Sequence, residues 1–134
     1  MPEHPLIDRL CIEHGWPLLD TPRQVAVATT APGVHCLFAP GAPGRSPESA
    51  GVAAMLPQLR ATFAGRFDCA VVGDAMEETL RRAARGTRTP SLLFFRAGEL
   101  IGAISGLRDT DDYIGRITRI LTLSDATEPV GVGA

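Results

Sequence analysis

Over residues 5–14 the apolar positions Leu6, Ile7, Leu10 and Cys11 recur at helical spacing opposite Asp8, Arg9 and Glu13, which predicts an amphipathic helix stopped by Gly15. The short apolar run 16–19 predicts a strand. Thr21-Pro22 then offers an N-cap with proline at the first helical position. Residues 25–30 are torn between two readings: their β-branched content favours strand, whereas the Thr-Pro opening and the Ala-Pro-Gly stop at 31–33 favour a short helix, and the balance lies with the helix. Residues 34–39 form a continuous apolar run between Gly33 and Pro40, as expected of a central strand covered on both faces.

The proline- and glycine-rich stretch 40–50 predicts an irregular loop running into a helix. That helix carries Val52, Met55, Leu56, Leu59 and Phe63 on one stripe and should be kinked by Pro57, which lacks a backbone donor. Residues 68–73 predict a second buried strand. Asp74 and Glu77 then have the spacing of a capping box opening a helix through Arg85, ended by Gly86. Residues 91–96 and 99–105 predict two strands joined by a tight turn at Ala97-Gly98. A last helix begins at Asp109 and Asp112 and buries Tyr113, Ile114, Ile117, Ile120 and Leu121. From Ser124 onward periodicity ends, so residues 1–123 are expected to form one domain and 124–134 a flexible tail.

Helices and strands that alternate in this way, followed by a hairpin and a last helix, make a mixed sheet with helices on both faces, an α/β three-layer sandwich. The length of 134 residues suits one such domain, and 45% hydrophobic with 21% charged residues are ordinary globular values. The net charge of -2 provides no field that would gather nucleic acid or an anionic membrane. All 13 basic residues are arginine, so chemistry that needs a lysine amine, such as a Schiff base or a P-loop, is excluded. Cys11, Cys36 and Cys69 are odd in number and widely spaced, which gives neither a disulfide framework nor a zinc motif. The start of the chain lacks the basic and apolar runs of a secretory signal, and no stretch is long enough to cross a bilayer, so the expected location is cytoplasmic.

Over residues 16–123 the chain resembles the thioredoxin fold: a strand ending Leu37-Phe38-Ala39, a helix carrying Pro57, and Thr89-Pro90 leading through Ser91-Leu92-Leu93-Phe94-Phe95 into a glycine-turned hairpin. Thr89-Pro90 matches the cis-proline position of that fold, where an extended peptide would be received by main-chain pairing. Counting back from Pro57, the two redox cysteines of thioredoxin fall on Ser49 and Val52. Neither side chain can exchange a disulfide, which requires an attacking thiolate and a resolving thiol. Cys36 falls where thioredoxin has its buried acid, and a cysteine inside an apolar strand is expected to act as a small hydrophobe.

A chain of this size with the same fold, no cysteine pair and Arg45-Ser46-Pro47-Glu48 before the kinked helix is similar to the HupG/HyaE family of NiFe-hydrogenase expression and formation proteins. The resemblance implies a cytoplasmic, non-enzymatic accessory chaperone that binds the small-subunit precursor of the hydrogenase, including its twin-arginine signal peptide, before export. It implies no cofactor, no metal and no catalytic residue. Guanidinium groups favour carboxylates, so Glu48, Asp74, Glu77 and Glu78 are the candidate peptide contacts, beside Thr89, Pro90 and Ser91 in the groove. The same acids could instead serve the positive pole of a helix dipole or simply be solvated, and Arg81, Arg82, Arg85 and Arg88 could form an anion-binding patch, although complementing the negative pole is the simpler reading. His4, His14 and His35 lack ligand spacing, and His35 is expected in a hydrogen-bonded structural role. The competing reading is a thioredoxin-fold enzyme without paired cysteines, a serine-based transferase using Ser46 or Ser49, although each serine is also placed to cap a helix.

Overall fold

The computed structural model describes residues 10–41, 47–83 and 90–126. Residues 10–13 are helical, the last turn of the expected first helix; the earlier positions of that helix lie outside the described residues. The chain continues through β1 (Leu18–Leu19), α1 (Pro22–Thr30), β2 (Val34–Ala39), α2 (Pro47–Thr62), β3 (Phe67–Val72), α3 (Asp74–Ala83), β4 (Ser91–Arg96), β5 (Glu99–Ser105) and α4 (Thr110–Ala126).

The ambiguous segment 25–30 is helix. The Thr21 hydroxyl accepts from the Gln24 N–H at 3.1 Å, and the Gln24 side chain accepts from the Thr21 N–H at 3.1 Å, closing a capping box ahead of Pro22. These cap bonds satisfy donors that a strand would have had to pair with a neighbour, and they outweigh the β-branched content that follows.

The five strands lie in the order β1-β3-β2-β4-β5, with β1, β3 and β2 parallel and β4 and β5 antiparallel. β2 is central and buried along its whole length, as its apolar run requires. Side chains alternate between two cores. Cys36, Phe38, Phe67, Cys69, Val71, Leu92 and Phe94 face α2 and α4, which contribute Leu56, Leu59, Tyr113, Ile117 and Leu121. On the other face Leu37, Ala39, Ala70, Val72, Leu93 and Phe95 meet Val25 and Ala28 of α1 and Met76 and Leu80 of α3. The hairpin turns at Ala97 and Gly98, with φ of 53° and 80°, the backbone sense that suits the twist of the strands it joins.

Several boundaries differ from the expectation. β1 spans only Leu18–Leu19 of the expected run 16–19. β3 begins at Phe67, one residue early, because Phe67 pairs with Val34 and fills the α2/α4 core. Gly73 falls just past the strand. The last helix continues to Ala126, beyond the boundary expected at 123, since Ser124 is buried and its hydroxyl accepts from Arg96 at 3.0 Å. A polar contact to the sheet, invisible to hydrophobic periodicity, carries that extra turn. The expected end of α3 at Arg85 and Gly86, Ser46 in the loop and the tail from 127 onward lie outside the described residues.

Candidate functional site

The carboxyl ends of the three parallel strands, the start of β4 and the end of β5 meet at one end of the sheet. Leu19 lies opposite Val72, while Ala39, Ser91 and Ser105 are in register across β2, β4 and β5. Crevices that receive ligands in open α/β sheets form at this end, where connections leave the sheet in different directions.

Here the chain leaves β2 as Pro40-Gly41. The Pro40 carbonyl accepts a short hydrogen bond from the buried Ser49 hydroxyl at the start of α2. Gly41, at φ +90°, donates its N–H to Glu77 Oε2 at 2.8 Å, a reach of 36 residues that ties α3 to the end of β2. On the opposite side the Pro90 carbonyl accepts from the Gly106 N–H, and the Gly106 carbonyl accepts from the Tyr113 hydroxyl, both at 2.7 Å. Burial pushes the Tyr113 phenol up from its usual range; Glu48 and Asp112 add to that, while Arg108 opposes it. Arg108 is itself held by the Ser105 carbonyl at 3.1 Å and Asp112 at 3.2 Å.

The sequence-derived site residues separate into distinct groups. Glu77 is half-buried against Gly41 and belongs to this end of the sheet. Glu48 is exposed on the first turn of α2, close enough to Tyr113 to influence its proton. Glu78 turns outward and pairs with Arg82 at 3.3 Å. Asp74 opens α3, and its side chain lies outside the described residues, as do Thr89 and hence the Thr89-Pro90 peptide bond.

Pro90 is buried. Ser91 is 2% exposed, and its hydroxyl has no hydrogen-bond partner among the described residues, an arrangement that costs about 1–3 kcal/mol unless water or a ligand fills it. The Gly106-to-Pro90 bond marks Ser91 and Ser105 as a pair that does not exchange backbone bonds. The Ser91 N–H therefore points toward Ala39 of β2, inside the sheet, and is a ladder donor rather than a donor offered to a peptide. What Ser91 contributes at this end is its hydroxyl.

Two features of this end escape sequence reasoning. The Glu77–Gly41 bond joins groups with no local spacing signal, and the Tyr113 hydroxyl was hidden within an apolar stripe. His35 plays the structural part expected of it: its Nε2 lies 2.9 Å from the Ala31 carbonyl, which can only accept, so that nitrogen carries the proton. Cys36 and Cys69 are free and stand in register on neighbouring strands. Burial, then the hydrogen bond and charge of Cys69, push the Cys36 thiol well up, away from the thiolate that redox exchange needs. Among the described residues no group of three or more histidine, cysteine or acidic side chains is arranged to hold a metal.

Strand order, helices on both faces and a serine–valine pair where a redox pair would stand define a thioredoxin-fold protein without the thioredoxin dithiol. Solved structures agree on the fold: mitochondrial thioredoxin 3 of Saccharomyces cerevisiae matches with a TM-score of 0.64 at 12% identity, over 78% of this chain and 96% of that one. A thioredoxin mutant of Halobacterium salinarum matches at 0.57 and 20% identity, over 78% and 89%. The family model for the hydrogenase-1 expression protein HyaE matches residues 6–113, and the chain belongs to that family. It is 50% identical over 118 residues to the hydrogenase expression/formation protein HupG of Rhodobacter capsulatus, covering 88% of this chain and 86% of that protein. To the hydrogenase expression/formation protein HoxO of Cupriavidus necator it is 35% identical over 128 residues, covering 93% and 78%.

Proposed function

We propose that this protein is a non-enzymatic accessory chaperone of NiFe-hydrogenase maturation, acting in the cytoplasm on the small-subunit precursor and its twin-arginine signal peptide. The names of its relatives support a role in hydrogenase expression and formation. The observation that carries the peptide-binding part is the half-buried Glu77 carboxylate beside Gly41, at the same end of the sheet as the Ser91 hydroxyl, which has no partner among the described residues. A guanidinium entering there meets a charge-assisted acceptor at the start of α3, and Glu48 provides a second, exposed carboxylate at the start of α2, on the other face of the sheet. Asp74, Glu78, Thr89 and Pro90 complete the proposed peptide site. The serine-transferase alternative finds no comparable support, because the Ser49 hydroxyl is buried and already donates to Pro40.

Ordering an unfolded segment costs free energy, so micromolar affinity is expected for the signal peptide. Calorimetry should show affinity falling as salt rises, and falling again when Glu77 and Glu78 are both replaced by glutamine. Glu77→Gln alone should account for most of that loss, since Glu78 is already paired outward with Arg82. Equal affinity for a peptide whose two arginines are lysines, or for an unrelated export signal, would refute the specificity.

A further inference from the structure

A notch interrupts the outer edge of the sheet, far from the loops around Gly41. The Val71 N–H donates to the Pro17 carbonyl at 2.8 Å, and Leu18 and Leu19 stand opposite Val71 and Val72. Alternate residues of a parallel strand direct their backbone groups to the same side. Cys69, two residues before Val71, therefore points its N–H and C=O toward the same outer edge, but β1 does not reach it. The residue placed to donate to the Cys69 carbonyl is Pro17, which has no N–H. The residue placed to accept from the Cys69 N–H is Gly15, whose φ of +68° turns the chain away, and the Trp16 N–H is used on Leu10 at 3.3 Å. Among the described residues nothing pairs with the Cys69 backbone at this edge.

These groups border a cavity of about 510 Å³ whose walls include Trp16, His14, Val27, His35 and Arg60. The volume is that of a ligand pocket. Past Pro17, Val27 and Ala28 it continues into an apolar groove of about 390 Å³ along β1 and α1, ending at Gln24 and Arg23. Leu18 and Val27 flank this path and are 45% and 65% exposed.

Each part of the surface constrains what can occupy it. A backbone donor and acceptor side by side on an open strand edge match the backbone of another extended chain. Trp16, Pro17, Val27 and Ala28 form an apolar strip beside the polar groups His14, His35, Arg60 and Asp68, and that strip selects an apolar side chain. Arg60 is already paired with Asp68 at 3.1 Å, whereas Arg23 has no ion-pair partner among the described residues and stands at the groove's far end. We propose that the notch at Cys69 is a second docking site, which takes one extended peptide segment carrying an apolar residue and, beyond it, a carboxylate for Arg23. Its chemistry is opposite to that of a twin-arginine segment, so it would serve a different stretch of partner chain, and it stands independently of the function proposed above.

The probe is the blocked peptide acetyl-Thr-Val-Thr-Val-Glu-amide added to the full-length, isotope-labelled protein, followed by amide chemical shifts and amide hydrogen exchange. The Cys69 and Leu18 amides should shift, and exchange at Cys69 should slow. N-methylation of the central backbone amides should weaken binding about tenfold or more, as loss of backbone hydrogen bonds requires. The exposed substitution Val27→Glu should abolish binding without disturbing the remaining amides. Arg23→Gln, or replacing the peptide's glutamate with glutamine, should weaken it about threefold and flatten its salt dependence. No binding at millimolar peptide, shifts confined to the Ser91 end, or equal affinity for the N-methylated peptide would overturn the proposal. Slow Cys69 exchange without peptide, together with a dimer in sedimentation, would assign the notch to a second copy of the chain and overturn it as well.

Discussion

Tyr113 shows how one hydroxyl joins three elements. It donates to Gly106, whose own N–H donates to Pro90, so α4, the end of β5 and the start of β4 are held in series. Tyr113→Phe keeps the ring in the core and removes only this bond, and should cost about 1–2 kcal/mol in urea unfolding. Burial, with Glu48 and Asp112, raises the phenol's pKa in the folded state above the unfolded value of about 10. The folded protein thus holds this proton more tightly. The associated stability is intact below about pH 10 and is lost as pH rises through the folded value. Urea midpoints measured from about pH 8 to 11 should fall more steeply for the parent protein than for Tyr113→Phe. Parallel curves would mean that Tyr113 does not govern the alkaline limb.

At the scale of elements, the β4–β5 hairpin is held from both sides. Its turn requires a positive φ at two positions, and only the second is glycine: Ala97 pays the strain of φ 53°, whereas Gly98 adopts φ 80° freely and donates to the Thr29 carbonyl at 2.9 Å. Ala97→Gly or Ala97→Asn should therefore stabilise the protein by about 0.5–1 kcal/mol. Gly98→Ala should destabilise it by about 1–2 kcal/mol, since its Cβ would lie 3.1 Å from the Thr30 side chain in an unfavourable backbone region. Thermal unfolding of the three variants checks both signs. The hairpin itself was legible because Ala97-Gly98 sits between two strongly apolar runs. The helix at 22–30 was legible only through its Thr-Pro cap and its Ala-Pro-Gly stop, since the β-branched residues within it favour strand.

For the whole molecule, the positions of the thiols predict no disulfide reductase activity. Cys36 and Cys69 are buried in the middle of the sheet, and burial keeps Cys36 protonated. At the first turns of α2 stand the buried Ser49 and Val52 instead. Insulin reduction by dithiothreitol should proceed no faster with this protein than with a variant whose three cysteines are replaced by alanine. Turnover above that control would overturn the expectation and point first to Cys11, the half-buried thiol of the three. This end of the sheet is lined by the Glu77 carboxylate, the Ser91 hydroxyl and the Gly41 backbone, the groups on which the proposed peptide site rests.

Apolar periodicity, together with cap and turn signals, was enough to determine the element order, the central place of β2 and the three-layer class, because burying each apolar face leaves few ways to stack these elements. The loss of the cysteine pair was equally plain, being a matter of composition at counted positions. Tertiary structure alone decided the contacts that make the surfaces. Glu77 reaches Gly41 across 36 residues, Arg96 binds Ser124 in the last turn of α4, and the Ser91 hydroxyl finds no partner among the described residues although its backbone lies within the sheet. Pro17 is visible in the sequence as a proline, but only the register of β1 against β3 makes it the residue that leaves the Cys69 carbonyl open. Periodicity reports which face a side chain takes, a local property set by 3.6- and 2-residue repeats. Hydrogen bonds between distant groups depend on how the packed elements settle against one another, and no local repeat encodes that.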